Sequence, residues 1–365
     1  MIVKKLLMLI TSIKNLIIIS IFIFFQKKLG KKIVIFYHSK ENLKRISEYY
    51  INRLLNIKDK KICVLTLDND LNNFFFSVSF IQEKYLNFLI GIDIFFNNYL
   101  CDTFPKNCLK IYIHHDIYDT PLANKKIENT IKKRLTKYNY ILLPSIKSKK
   151  VFDNLNINFK KRKIKIEYIG YYKLDLLYYS KIIENNSNII IAPTNILSFP
   201  SMTLMKNIYE IIDGIIKNSK FNVIFRPHPA NLSSLKIENL KKKYENNARF
   251  IFDGSKNYLK TYSNSRFLIT DLSGTAYTYS FLTNNPVIFF SNYEKKLAFH
   301  GYANLNYFKD RKKIGFIVAS VHSILKIILA KNLNPNININ REKIKSLFLV
   351  GLAKKRFNKF LKKII

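Results

Sequence analysis

The segment FNVIFRPHPANLSSL, Phe221 to Leu235, sets one histidine between two prolines directly after an apolar run. Phe221 to Phe225 reads as a short buried strand, rich in β-branched and aromatic residues. Each proline of Arg226-Pro227-His228-Pro229 fixes its own φ and removes a backbone donor. Each also pushes the preceding residue, Arg226 or His228, toward an extended conformation. His228 therefore has little backbone freedom at the end of what reads as a parallel strand, and open α/β sheets bind ligands beyond such ends. Arg226 and His228 are candidates for phosphate contact, and arginine suits bidentate contact with phosphate oxygens. The plainer alternative is a rigid turn whose histidine faces solvent.

A second segment, RFLITDLSGTAYTYSFLTNNPVIFF (Arg266 to Phe290), ends a strand at Thr270-Asp271 and then opens a helix-like stretch. Asp271 or Ser273 can cap that helix. Its amino terminus presents N–H groups and the positive end of a dipole, which suit a phosphate. Gly274 lets a ligand approach the backbone closely, and the hydroxyls of Ser273 and Thr275 can donate to phosphate oxygens. A capped helix after a strand is also ordinary scaffold. The reading gains from the first segment, because both would open into one crevice of the same sheet.

The elements that must hold these residues alternate along the chain. Apolar runs at Lys31–Ser39, Lys61–Asp68, Asn87–Phe95, Leu109–His115 and Tyr138–Ser145 read as strands. An amphipathic stretch at Glu41–Leu55 and a basic helix at Lys125–Lys137 lie among them. A second series follows at Ser187–Asn195, Phe221–Phe225, Arg249–Gly254, Arg266–Asp271, Pro286–Ser291 and Lys313–Val318, with helical spacing over Leu204–Lys217. This alternation predicts parallel sheets with helices on their faces. For 365 residues two domains are expected, at roughly 100–200 residues each. They are placed at 32–178 and 186–335, joined near Ile169–Asn188, with a cleft between them.

Both chain ends differ from the body. Leu6 to Phe25 is about as long as a bilayer-spanning helix, which needs ~20 apolar residues, and no small-residue cleavage site follows it. Residues 1–28 therefore read as a membrane anchor or as an interfacial helix with Lys14 snorkelling; a buried core helix is the third reading. Lys27, Lys28, Lys31 and Lys32 follow the segment, against Lys4 and Lys5 before it, which keeps the body on the cytoplasmic side. The tail, 341–365, is basic and amphipathic and either docks on the body or lies on an anionic membrane.

Composition narrows the partners. Lys and Arg number 62 against 24 Asp and Glu, a formal net charge of +38, which favours anionic partners. No helix-turn-helix or RNA-binding signature points to nucleic acid. Cys63, Cys101 and Cys108 fit neither a zinc site nor a disulfide framework. The six histidines, His38, His114, His115, His228, His300 and His322, form no HExxH pattern. No acidic cluster at ligand spacing calls for a bound cation, so neither metal nor cofactor is expected.

FRPHP followed by LITDLSGTAYTYSFLTNNPVIFF resembles the CDP-glycerol glycerophosphotransferase family, the polymerases and primases of teichoic acid-like polymers. GYYKLDLL (Gly170 to Leu177) resembles that family's Gly-x-Pro-x-x-Asp interdomain segment, with Tyr172 in place of the proline. The resemblance is best over about 188–291. It implies a GT-B architecture of two Rossmann-like domains, the second holding the nucleotide, and association with a membrane through basic or amphipathic surface. The family also uses a first-domain histidine in a motif like His-Gly-Thr-Pro-Leu-Lys. The nearest match is IYIHHDIYDTPLANKK, Ile111 to Lys126, with His115-Asp116 standing for His-Gly and extra residues before Thr120-Pro121-Leu122. This favours His115 over His114 as the base. Two further departures are Gly274, where the family has the second serine of a pair, and Thr278, where it often has an acidic residue.

The resemblance implies transfer of a polyol phosphate from a CDP-linked donor to a hydroxyl of a cell-surface polymer or lipid-linked precursor, with CMP leaving. His115 would take the acceptor proton, as a histidine titrating near working pH can. Arg226, His228, Asp271 and the segment Ser273-Gly274-Thr275 would hold the donor and stabilise developing charge. The alternatives are a GT-B glycosyltransferase using a nucleotide sugar and a membrane-bound protein that only binds polymer or lipid.

Overall fold

The computed structural model describes residues 2–37, 49–50, 52, 61–66, 81–118, 128–178, 187–197, 200–255, 258–299, 304–330 and 336–365. His38, Thr120-Pro121-Leu122, His300 and most of the 41–55 stretch lie outside the described residues.

Twelve described strands form two six-stranded parallel sheets. The first holds β1 (Lys32–Tyr37), β2 (Ile62–Thr66), β3 (Ile94–Asn97), β4 (Leu109–Ile113), β5 (Tyr140–Leu143) and β6 (Lys165–Tyr168) in the order 2-1-3-4-5-6. The second holds β7 (Asn188–Ile191), β8 (Asn222–Phe225), β9 (Phe250–Phe252), β10 (Ser265–Thr270), β11 (Val287–Phe290) and β12 (Gly315–Val318) in the order 12-11-10-7-8-9. Counted from β7, that is the doubly wound order 3-2-1-4-5-6, whose switch point lies between β7 and β10. There Leu268 pairs with Ile190 and Ile269 with Ile191. The strands are near-continuous Ile, Val, Leu and Phe because both faces of a parallel sheet are covered; β3, β5, β7 and β11 are buried throughout.

The helices used below are α1 (Ile2–Lys28), α2 (Glu128–Leu135), α3 (Tyr172–Tyr178), α4 (Ile208–Asn218), α5 (Leu235–Tyr244), α6 (Thr275–Thr283), α7 (Asn306–Ile314), α8 (Val321–Leu329), α9 (Asn336–Lys345) and α10 (Ala353–Ile364). Helix α4 shows why they sit where they do: Ile208, Ile211, Ile212 and Ile215 recur at helical spacing and are all buried. This α/β architecture is GT-B-like, with an apolar amino-terminal helix added to it.

Two elements depart from the sequence expectation. The run 87–95 divides into a 3-10 helix, Glu83–Phe88, and the later strand β3. An apolar run cannot by itself distinguish those states. Strand β6 escaped the sequence reading, because at the sheet edge KIEY carries Lys165 and Glu167 and is only partly buried.

Helix α1 lies along the first domain. Ser12, Asn15, Ile19 and Ile23 are buried on its inner stripe. Ile10, Ile13, Ile17, Ile21, Phe24 and Phe25 are exposed on the outer one. It is therefore no core helix, and Ile10–Lys28 is long and apolar enough to cross a membrane by length and composition alone. The tail docks on the first domain: Phe357 of α10 is buried against Tyr50, ring centroids 4.5 Å apart, and Phe360 lies 5.2 Å from Tyr140. Asp175 of α3 accepts from the Lys354 N–H at the start of α10, 3.0 Å. Gly170, at φ +81°, leaves room for the backbone of Ala353, which a Cβ would meet at 3.1 Å.

Candidate active site

The second-domain half is built at the carboxyl ends of β7, β8 and β10. Strand β10 runs into Asp271, which is fully buried. Its carboxylate accepts the backbone N–H groups of Thr194 (2.8 Å), Leu204 (2.9 Å) and Leu272 (2.6 Å). Burial raises its pKa, and these bonds work against that rise. Asp271 thus ties the segment after β7 across the switch point; its oxygens are committed to the backbone and it acts from beneath the crevice. Asn231 holds the same segment, accepting from the Ile196 N–H at 3.1 Å.

Strand β8 ends at Arg226, whose guanidinium pairs with Asp253 and donates to the Ser255 carbonyl at 2.9 Å. Burial alone would raise the Asp253 carboxyl. Hydrogen bonds from Ser255 and Thr261 and the Arg226 charge hold it below the usual range. Arg226 therefore braces the loop after β9. His228 caps the 3-10 turn Pro229–Asn231, its Nδ1 accepting from the Ala230 N–H at 3.2 Å. That bond puts the proton of the neutral ring on Nε2. Burial lowers the His228 pKa to about 4, so at neutral pH the ring is an uncharged Nε2–H donor.

Beyond Asp271, Gly274 caps α6 in αR conformation. The Ser273 hydroxyl lies 3.4 Å from the Thr275 N–H, and the Ser273 carbonyl accepts from Tyr307 at 3.1 Å. The Thr275 hydroxyl is bonded to that of Tyr262. Thr278 is buried one turn on.

The first-domain half is the turn after β4, where two adjacent histidines differ completely. His114 is buried, with Nε2 2.8 Å from the Tyr118 carbonyl and Nδ1 3.3 Å from the Tyr112 hydroxyl. Burial lowers its pKa to about 4. It is a neutral strut that closes the turn. His115 is partly exposed, and its Nδ1 lies 3.1 Å from the Asn98 carbonyl at the end of β3. A backbone carbonyl can only accept, so Nδ1 carries the proton and the lone pair of the neutral ring sits on Nε2, the arrangement a general base needs.

The two halves meet. Tyr118 stacks on Tyr277 of α6, ring centroids 3.9 Å apart, and donates to Asp310 of α7 at 2.9 Å. Asp310 is buried and also pairs with Lys147 at 2.9 Å and Lys313 at 2.8 Å. Those lysines hold its carboxyl low against the effect of burial. Asp116 lies directly over Gly274: a Cβ there would stand 2.8 Å from its Cγ. The turn bearing His115 is thereby packed on the amino terminus of α6. Asp116, Tyr118, Lys147 and Asp310 were not singled out from the sequence as partners; only the pairing of two remote segments reveals them. Among the described residues no group of three or more His, Cys, Asp or Glu is placed to hold a metal ion.

No protein-family model and no curated protein matches the chain. Solved structures do. The wall teichoic acid polymerase TagF, in a histidine-to-asparagine variant soaked with CDPG, superposes with a TM-score of 0.60 at 17% identity, over 99% of this chain and 97% of that one. The UDP-GlcNAc 2-epimerase of Methanocaldococcus jannaschii, in complex with UDP-GlcNAc and UDP, gives 0.58 at 13% identity over 91% and 99%. S. aureus MnaA with UDP gives 0.57 at 11% over 92% and 98%. The chain thus shares with this teichoic acid polymerase, this epimerase and MnaA one fold, GT-B-like and α/β, built here on two parallel six-stranded sheets.

Proposed function

We propose that the protein is a transferase that moves a polyol phosphate, glycerol phosphate or similar, from a CDP-activated donor to a hydroxyl of a surface polymer or its lipid-linked precursor. The observation that carries this reading is the packing of the His115 turn on the α6 amino terminus, where Ser273 and Thr275 stand beside the switch point of the nucleotide-type sheet. The fold likeness to a polymerase soaked with CDPG supports the choice of donor.

In this mechanism the acceptor hydroxyl gives its proton to His115 Nε2 as its oxygen bonds to the phosphorus that bears the polyol. The bond from that phosphorus to the CMP oxygen breaks, and CMP leaves with the electron pair. The His228 Nε2–H and the Ser273 and Thr275 hydroxyls stabilise the departing charge. Arg226 adds charge from behind, tied to Asp253, and Asp271 keeps the crevice floor in place. No step needs a metal or cofactor. The outward apolar stripe of α1 and the basic surplus of the chain favour work at the cytoplasmic face of a membrane, against anionic lipid.

The test is calorimetric binding of CDP-glycerol, CDP-ribitol, CMP and UDP-sugars, followed by CMP release with a polymer acceptor. Binding of a cytidine diphosphate compound that is lost in His228→Ala supports the transferase. The likeness to UDP-GlcNAc epimerases at nearly the same TM-score favours one second reading, a GT-B glycosyltransferase. Preference for a UDP-sugar and a glycosidic product without phosphate would establish that reading instead.

A further inference from the structure

Gly274 has φ −58°, an ordinary helical value that any residue adopts. Its lack of a side chain answers to space. A Cβ at this position would fall inside contact distance of Asp116 Oδ1 and 2.8 Å from both Cγ and Oδ2. The carboxylate of one domain fills the volume that a side chain of the other would need. It lies at the positive end of α6, where a negative charge is favoured, and its Oδ1 also accepts from the Ile117 N–H at 2.8 Å. The flanks of this residue are fixed: His114 bonds to the Tyr118 carbonyl, and Tyr118 is stacked on Tyr277. His115 is the neighbour of Asp116 in the same turn.

We propose that Asp116 is a positioning residue: its carboxylate is a plug, Gly274 is the socket, and their contact sets the closed register in which His115 meets the donor phosphates. The proposal rests on the transferase reading only in what the closure serves. Asp116 is short and rotatable, so a methyl group at 274 expels the carboxylate without displacing backbone. Gly274→Ala and Asp116→Ala therefore delete one contact by opposite routes, and their effects must couple.

The experiment is a double-mutant cycle with two readouts. Thermal unfolding without nucleotide should show each single variant lowered by about 2–4 °C, and Asp116→Ala/Gly274→Ala no lower than the worse single. Steady-state transfer from CDP-glycerol should show kcat reduced about 10–100-fold in each single, with donor KM within about twofold, and again no further loss in the double. Additive melting losses, or Gly274→Ala melting as wild type, overturn the plug. Should Gly274→Ala not fold, Asp116→Gly/Gly274→Ala must restore folding; failure to do so also overturns it. Coupled melting without any CDP-glycerol turnover keeps the plug and removes the transferase reading. Additive melting with normal turnover does the reverse.

Discussion

The strand ends of β4 and β8 each carry a histidine in a tight turn, and the two are built for different work. At β8, His228 is fixed by two prolines, caps a 3-10 turn and is neutral through burial, its Nε2–H an unchanging donor. Around it, Arg226 with Asp253 and Asp271 with three backbone N–H groups make a braced floor. At β4, the bracing belongs to the neighbours: His114 closes the turn and Tyr118 pins it to the other domain, while the His115 ring is partly exposed with its proton directed to Asn98. In the proposed mechanism these are a braced donor cradle and a base, and the neighbours of that base, Asp116 and Tyr118, pack on the other domain.

The sharpest way to break this comparison is to remove the base alone. His115→Ala should lower transfer about 10²–10⁴-fold while leaving donor affinity within about twofold, since the cradle lies in the other domain. His114→Gln, one residue away, should lower stability and leave kcat nearly intact once folded. Loss of donor binding in the first variant, or of kcat alone in the second, would reverse the assignment of the pair.

The halves are also joined from outside the cleft. Phe357 of α10 is wholly buried against Tyr50 and Phe96 of the first domain. Truncating such a side chain costs about 3–5 kcal/mol, so Phe357→Ala should unfold at markedly lower denaturant. A variant that melts as wild type would mean that the tail is not a strap.

Next in size is the floor of the cradle. Asp271→Asn leaves one carbonyl where two oxygens now accept three backbone donors, and sets an NH2 group against at least one of them. The cost should be about 2–3 kcal/mol, read in denaturant unfolding, together with weakened donor binding. Unchanged stability would show that the loop after β7 is held by other means.

Much of this was legible in the sequence, for stated reasons. Parallel strands buried on both faces are written as unbroken apolar runs, so eleven of the described strands could be located from composition, one of them, β3, displaced. Proline spacing announced the His228 turn. What was hidden depends on pairing between remote segments. DLSG reads as a helix cap or a phosphate cradle, and only the partners of Asp271 separate its structural duty from that of Ser273 and Thr275. His114 and His115 are indistinguishable as letters; burial and the Tyr118 carbonyl distinguish them. Two of the departures from the motifs the chain resembles, Asp116 and Gly274, sit 158 residues apart in the sequence and touch in space.

The smallest effect concerns acid. Burial lowers both His114 and His228 from 6.5 to about 4. Between those values the unfolded chain binds protons that the folded chain refuses, so stability rises with pH. The contribution of each neutral histidine is complete above about pH 6.5 and is lost as pH falls toward 4. For the fully enclosed His114 the loss on going from pH 7.5 to pH 5 is about 1–2 kcal/mol; the more open His228 loses less. Melting temperatures measured across that range should therefore fall with acid, and fall less steeply in His114→Gln, whose amide can still donate to the Tyr118 carbonyl. Parallel curves would mean that His114 titrates as it does in water. Over pH 5.5–8 neither ring changes charge, so His228→Gln should keep the shape of the wild-type kcat/KM profile while lowering its height. A displaced profile would move the titrating group from the first domain into the cradle.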